Sequence, residues 1–194
     1  PHWDGSRLVG LAVECPDGRE LRLSFRALLD ASGRQSFLAS RMGWRFPYLR
    51  HRRAAVHAHF RGVWLPPGGE AENNTVVLAD GGWFWLTPLA DGTVSVGVVL
   101  DPARWRETGA GPEALFAAAV ARAPEVARRL TGADRVSPFA AVRDFSYRVM
   151  RSAGDPFCLI GDAAGFFDPI AATGVLVAMA TGASAADDLI DAFR

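Results

Sequence analysis

The chain has 194 residues, 49% of them hydrophobic, which is enough to bury a substantial core. Its 21 basic and 21 acidic side chains balance, so charge gives no reason to expect a nucleic-acid or membrane partner. The longest apolar stretches fall short of the roughly 20 residues of a bilayer span, and two cysteines suit a reducing compartment, so a cytoplasmic location is expected.

The first third of the chain predicts strands. Residues 8–13 and 21–29 should pair as antiparallel strands, because an Asp-Gly turn at residues 17–18 separates them. A further strand is predicted over residues 54–63, followed by a flexible Pro-Gly connection at residues 66–70.

The middle of the chain predicts a sheet followed by helices. Strands over residues 75–79, 83–89 and 93–100 are separated by Gly-Gly and Asp-Gly turns, so a curved antiparallel sheet with one open face is expected. Pro112 starts an amphipathic helix, which Pro124 breaks. A shorter helix to about residue 130 and a long final strand over residues 136–149 complete this part.

The most informative segment lies near the C-terminus. Residues 157–160 form a short apolar run typical of a buried strand, and Gly161 and Asp162 follow it. Gly161 lets the backbone approach a ligand closely, and the Asp162 carboxylate can accept hydrogen bonds from sugar-type hydroxyls. Beyond Pro169, residues 173–193 predict a helix whose free N–H groups would face an anion or an electron-rich cofactor. A plain strand-to-helix turn is the alternative.

This block resembles the Gly-Asp motif of the two-dinucleotide-binding-domain flavoproteins, which include aromatic hydroxylases, geranylgeranyl reductases and flavin-dependent halogenases. Residues 26–36 resemble the segment by which that class closes its cofactor domain. Residues 82–89 resemble the Trp-x-Trp-x-Ile-Pro signature of the halogenases, with Thr87 where the signature has Ile. Residues 91–100 and the Ser-Tyr pair at residues 146–147 also resemble the halogenase branch that acts on phenols or pyrroles, often on a carrier protein.

The resemblance implies a mixed α/β fold, a fragment of a two-dinucleotide-binding-domain FAD flavoprotein with a curved antiparallel substrate-domain sheet. Residues 1–45 and 151–194 would belong to the FAD-binding domain, and residues 46–150 to the substrate domain. The chain contains neither the Gly-x-Gly-x-x-Gly turn that would hold the diphosphate nor any lysine. The catalytic lysine of the family therefore has no counterpart here, the catalytic residues are unknown, and the isolated chain is expected to be inactive.

The implied function is flavin-dependent halogenation of an electron-rich aromatic substrate, with reduced FAD, oxygen, and chloride or bromide. A separate flavin reductase would supply reduced FAD, and the aromatic small molecule would be free or held on a carrier protein. Gly161, Asp162, Pro169, Gly174 and Val175 would bind the cofactor. Two alternatives stay open: an FAD-dependent aromatic hydroxylase or monooxygenase, and a truncated, non-catalytic flavoprotein module.

Two groups of residues are assigned to halide and substrate. The N–H groups of Thr173 and Gly174 are the candidates for the halide, since a helix N-terminus favours anions without a cationic side chain. Trp83, Trp85 and Pro88 would line a substrate tunnel, and the two tryptophans should share a face because they lie two apart in a strand. Ordinary packing within the sheet is the alternative for the tryptophans.

Two further clusters carry weaker hypotheses. His57 and His59 share a strand face and would hold a metal at one edge, but no third Cys or His lies at motif spacing, so no metal is expected. The basic run at residues 50–53 would contact an acidic carrier protein or its phosphopantetheine phosphate, with solvated charge as the alternative.

Overall fold

The computed structural model describes residues 1–48, 52–103, 105 and 111–194. The chain divides into two compact units, one formed by Pro1–Tyr48 with Ser146–Arg194 and the other by Leu49–Phe145. The assignment of an FAD-binding domain and a substrate domain to parts of this chain stays a prediction.

Short strands outnumber helices in the described part of the chain. The strands are β1 (His2–Asp4), β2 (Arg7–Glu14), β3 (Glu20–Ser24), β4 (Leu28–Asp30), β5 (Arg45–Pro47), β6 (Ala54–Arg61), β7 (Thr75–Ala79), β8 (Gly82–Pro88), β9 (Val94–Leu100), β10 (Asp134–Arg135), β11 (Ala140–Arg143), β12 (Tyr147–Val149), β13 (Ala153–Gly154), β14 (Phe157–Leu159) and β15 (Gly165–Phe166). The α-helices are α1 (Phe37–Arg41), α2 (Pro112–Val120), α3 (Pro124–Leu130) and α4 (Gly174–Phe193).

The first unit is built from short strands and the long helix α4. β1, β2 and β3 form an antiparallel sheet in that order, and β12 lies between β5 and β15 in a second one. β4 and β14 pair in parallel, with Asp30 opposite Leu159 at their carboxyl ends. This parallel pair matters for function because the chain passes from β14 directly into Gly161 and Asp162.

The second unit is one antiparallel sheet with helices packed on one face. Its strand order is β10-β6-β9-β8-β7, and β11 also pairs with β6. Phe84 and Leu86 of β8 are fully buried in an apolar cluster that includes Leu115 and Phe116 of α2. Because side chains alternate along a strand, the odd-numbered residues of β8 lie on the opposite face.

Two predicted strands are wrong in extent. The strand predicted over residues 21–29 is two strands, because the chain leaves β2 after Ser24 and then pairs with β14. The strand predicted over residues 136–149 is interrupted, since Pro138 has no N–H to donate and Asp144 takes a left-handed φ of 48°. The mixed α/β class and the antiparallel sheet are confirmed.

Within the described ranges, no helix has both the length and the apolar character that crossing a bilayer requires.

Candidate functional site

The Gly-Asp turn follows β14 and packs closely against α4. Gly161–Ala164 form a short 3-10 helix, and Gly161 has a φ of 56°, in the left-handed region that favours glycine. A Cβ on Gly161 would lie 3.0 Å from the Cβ and 3.2 Å from the Cα of Ala178 in α4. Both the backbone angle and the close approach therefore require glycine here.

Hydroxyl groups from other elements hold the backbone of this turn. The Thr181 hydroxyl oxygen accepts a hydrogen bond from the Gly161 N–H at 2.9 Å. The Asp162 carbonyl accepts from the Tyr147 hydroxyl. The Ala163 carbonyl accepts from the Ser36 hydroxyl at 2.7 Å. Three consecutive residues of the turn are thus fixed by side chains that are distant in sequence.

The segment that contributes Ser36 is itself anchored by Asp30, at the end of β4. The buried Asp30 carboxylate accepts from the Ser32 N–H at 3.0 Å and from the Leu38 N–H at 2.7 Å. Ser36 is fully buried and has a left-handed φ of 46°. The segment that resembles the domain-closing segment of the class is therefore hydrogen-bonded to the Gly-Asp turn through Ser36.

A cleft of about 470 Å³ opens beside the turn in the same unit. It is lined by both predicted halide residues and by every predicted cofactor residue other than Gly161. These residues are Asp162, Pro169, Thr173, Gly174 and Val175. Gly161 is buried and contacts α4 instead. Tyr147 also lines the cleft.

The N-terminus of α4 presents free backbone donors to this cleft. The Val177 N–H donates to the Thr173 carbonyl at 2.9 Å, which is the first bond of the helix. The N–H groups of Gly174, Val175 and Leu176 consequently have no intrahelical acceptor. Among the residues that the structure describes, a Cβ on Gly174 would meet nothing within 4 Å, and the Thr173 side chain makes no capping hydrogen bond. These amides and the positive end of the helix dipole favour an anion.

The tryptophan pair of β8 lies on the sheet face opposite the apolar cluster. The ring centroids of Trp83 and Trp85 are 6.0 Å apart. The Trp85 indole covers Gly97 of β9 so closely that a Cβ there would lie 2.2 Å from the ring. The Trp85 Nε1–H donates to the Ser95 hydroxyl at 3.2 Å, whereas the buried Nε1 of Trp83 has no hydrogen-bond partner among the described residues.

Pro88 does not join the two tryptophans. It pairs with Val94, a buried member of the apolar cluster, and alternation places it on the same face as Leu86. The structure therefore brings Trp83 and Trp85 together, and it places Pro88 on the other face of the strand. The role of all three residues in a tunnel stays a prediction.

His57 lies beside this aromatic face, with its ring centroid 5.7 Å from that of Trp85. Burial, and to a smaller extent the charge of His59, lower the pKa of His57 below its usual value. In the part of the chain that the structure describes, no third His, Cys, Asp or Glu completes a metal site with these histidines.

The basic run at residues 50–53 falls partly outside the described residues, which do not include Arg50 and His51. Arg52 Nε lies 3.7 Å from the Asp144 carboxylate, and both side chains are exposed. A contact between this run and a carrier protein stays a prediction.

The sequence alone assigns no role to Tyr147, Ser36 or Thr181. The first two lie within the segments that resemble the family, so the sequence marks their positions but does not indicate what they do. Thr181 is not marked in the sequence, because a threonine within an Ala-rich helix looks like any exposed helical residue.

A parallel strand pair that runs into a Gly-Asp turn packed against a long helix is the arrangement that the resemblance to the two-dinucleotide-binding-domain flavoproteins implies. Within that class, the chain belongs to the tryptophan halogenase family, whose sequence model matches residues 11–193.

Individual relatives agree with this family. The chain is 33% identical over 188 residues to a 1H-pyrrole-2-carbonyl-[peptidyl-carrier protein] brominase of Pseudoalteromonas luteoviolacea, covering 93% of this chain and 45% of the brominase. It is 32% identical over 214 residues to the flavin-dependent halogenase armH4 of Armillaria mellea, covering 97% of this chain and 39% of that protein.

Among solved structures, the flavin-dependent brominase Bmp2 superposes with a TM-score of 0.84 at 32% identity, covering 92% of this chain and 45% of Bmp2. The chain thus spans less than half the length of these relatives.

Proposed function

We propose that the full-length protein is an FAD-dependent halogenase that transfers chlorine or bromine to an electron-rich aromatic ring. The observation that supports the proposal is the cleft that Asp162, Thr173 and Gly174 line together. It lies in a chain of the tryptophan halogenase family. Asp162 and the first residues of α4 line the same cleft, where the carboxylate would accept from hydroxyls and the free amides would donate to negative charge.

The donor set fits FAD. The Asp162 carboxylate would accept hydrogen bonds from the hydroxyls of the cofactor chain, and Pro169 and Val175 would contact its apolar parts. When bound and reduced, FAD supplies the electrons with which oxygen becomes an oxidant for halide. The task of this chain is to place the cofactor and to keep its surroundings fixed while that chemistry takes place.

The halide would bind at the N-terminus of α4. The Gly174 N–H and its neighbours donate without a cationic side chain, and the open space in front of Gly174 leaves room for an anion. The exposed Thr173 hydroxyl would add one further donor.

The substrate would be an electron-rich ring, and a carrier protein would present it. The Pseudoalteromonas brominase and a Pseudomonas fluorescens chlorinase are both named for a pyrrole-2-carbonyl group on a peptidyl carrier protein. Trp83 and Trp85, whose rings are tilted by 53° to each other, would offer aromatic surface against which such a ring could pack. A flavin reductase would be the second partner.

The test is a product assay with the full-length protein, FAD, a flavin reductase and a pyrrole-2-carbonyl carrier protein. Mass spectrometry should find a halogenated product whose amount depends on added chloride or bromide. A hydroxylated product in ample halide would support the aromatic hydroxylase instead, and the absence of FAD binding would support a non-catalytic module.

A second assay addresses the halide position. Gly174→Val should crowd the anion while leaving the fold intact, because the position is open. Halogenated product should therefore fall much further than the rate at which reduced FAD consumes oxygen, and Gly174→Ala should show a smaller version of the same split. Equal losses in both rates would move Gly174 from halide binding to cofactor binding.

A further inference from the structure

We propose that Tyr147 is a positioning residue for the flavin cofactor: its hydroxyl holds the Asp162 backbone and thereby sets where the Asp162 carboxylate projects into the cleft. This inference rests on the proposed FAD site. It assigns a role to a residue for which the sequence offers none.

The geometry around Tyr147 leaves its ring little freedom. Tyr147 begins β12, which lies between β5 and β15, and the residue is 2% exposed. The guanidinium carbon of Arg45 lies 3.9 Å above the ring centre, a cation–π contact. Because strand pairing and Arg45 both fix the ring, the hydroxyl points at one place, and the group found there is the Asp162 carbonyl.

The hydroxyl is a permanent donor. Burial raises the pKa of Tyr147, and the negative charges of Asp162 and Asp30 act in the same direction, against the opposing charges of Arg45 and Arg34. The phenol therefore keeps its proton in the working pH range of the protein. A carbonyl can only accept, so this bond depends on the proton that Tyr147 retains.

The turn needs such support, because its own backbone is unusual. Gly161 is left-handed, and the 3-10 helix that begins with it is four residues long, a geometry with weaker internal hydrogen bonds than an α-helix. Thr181 and Ser36 hold the residues on either side of Asp162, so Tyr147 is the middle of three fixed points. Loss of the middle bond would let the Asp162 peptide tilt and carry the carboxylate with it.

The experiment compares FAD affinity in full-length wild type and Tyr147→Phe, by titration of flavin fluorescence well below the melting temperature. Loss of one neutral hydrogen bond should weaken FAD binding about three- to tenfold. The bound flavin should also show a shifted absorbance spectrum. A purely structural role would lower the melting temperature but would leave the affinity and the spectrum of the folded protein unchanged.

Ser40→Ala is the matched control, because it also removes a neutral hydroxyl that donates to a backbone carbonyl, that of Gln35 at 2.8 Å, in the same unit. Ser40 is exposed and does not line the cleft. This control should retain the wild-type affinity to within about twofold.

Thr181 provides a second route if Tyr147→Phe fails to fold. Thr181→Val removes the acceptor of the Gly161 N–H at nearly constant volume, and Thr181→Ser restores it. Weaker FAD binding in Thr181→Val that recovers in Thr181→Ser supports the role of the three bonds in cofactor placement. Wild-type affinity in both Tyr147→Phe and Thr181→Val overturns the inference. If the wild type itself binds no FAD, the proposed function fails instead.

Discussion

The Gly-Asp turn of the first unit and the tryptophan strand of the second place their side chains by opposite means. The turn is held by hydroxyl groups of residues that are distant in sequence. The Ser36 hydroxyl donates to the carbonyl of Ala163, 127 positions further along the chain. β8 relies on its neighbours, because β7 and β9 pair with it along its length and an apolar cluster covers one face. Single polar substitutions should therefore disturb the turn locally, whereas apolar substitutions in β8 should affect the whole unit.

Substitutions in the two regions should also change different measured quantities. In the turn, the expected loss is in ligand affinity, since few apolar contacts depend on the hydroxyls that fix it. In the sheet, the expected loss is in the free energy of unfolding, since the same strand that orients the tryptophans also contributes to the core.

The largest expected effect is on stability in the second unit. Phe84→Ala should lower the free energy of unfolding by about 3–5 kcal/mol, because Phe84 is fully buried against α2 and leaves a cavity. Urea denaturation followed by far-UV circular dichroism measures it. Leu78→Ala in β7, where the side chain is 75% exposed, is the control and should change stability by less than about 0.5 kcal/mol. Equal losses for both would contradict the two-faced sheet.

The next effect lies in the turn and concerns affinity. Asp162→Ala in the full-length protein should weaken FAD binding by about 1.5–3 kcal/mol, roughly ten-fold to more than a hundred-fold, because a charge-assisted hydrogen bond is lost. Asp187→Ala, at an exposed position of α4, should bind FAD normally. Unchanged affinity in Asp162→Ala by fluorescence titration would make Asp162 a structural turn residue.

These two regions also differ in how far the sequence predicts them. The alternation of Phe84 and Leu86 with the tryptophans, and the turn residues that bound each strand, are local signals, so the predicted ends of β7 match the observed ones. The supports of the Gly-Asp turn are long-range hydrogen bonds, which local periodicity does not encode. Asp162 and Gly174 are identifiable as motif residues, but the convergence of Tyr147 and Thr181 on that turn depends on tertiary packing.

A third prediction tests whether the Trp85 indole leaves room for a Cβ at Gly97 in the sheet. Gly97→Ala should cost about 1–3 kcal/mol of unfolding free energy, because the new Cβ would overlap the Trp85 indole and force it from Ser95. The near-ultraviolet circular dichroism of the tryptophans should change as well. Gly174→Ala, where the Cβ meets open space, should leave stability within about 0.5 kcal/mol of wild type. Similar losses in the two variants would mean that Trp85 moves aside easily.

The smallest expected effect is a pH dependence of stability, which comes from His57 beside Trp85. Burial, assisted by the charge of His59, lowers the pKa of His57 in the folded protein below its usual value of 6.5. The unfolded chain therefore binds more protons at His57 as the pH falls through about 6.5, and the stability contributed by the neutral imidazole is present above that pH and lost below it. The melting temperature of wild type should fall between about pH 8 and pH 5 more steeply than that of His57→Gln, which cannot titrate. If wild type and His57→Gln show parallel pH profiles, the imidazole is solvated well enough that the aromatic face imposes no cost on its charge.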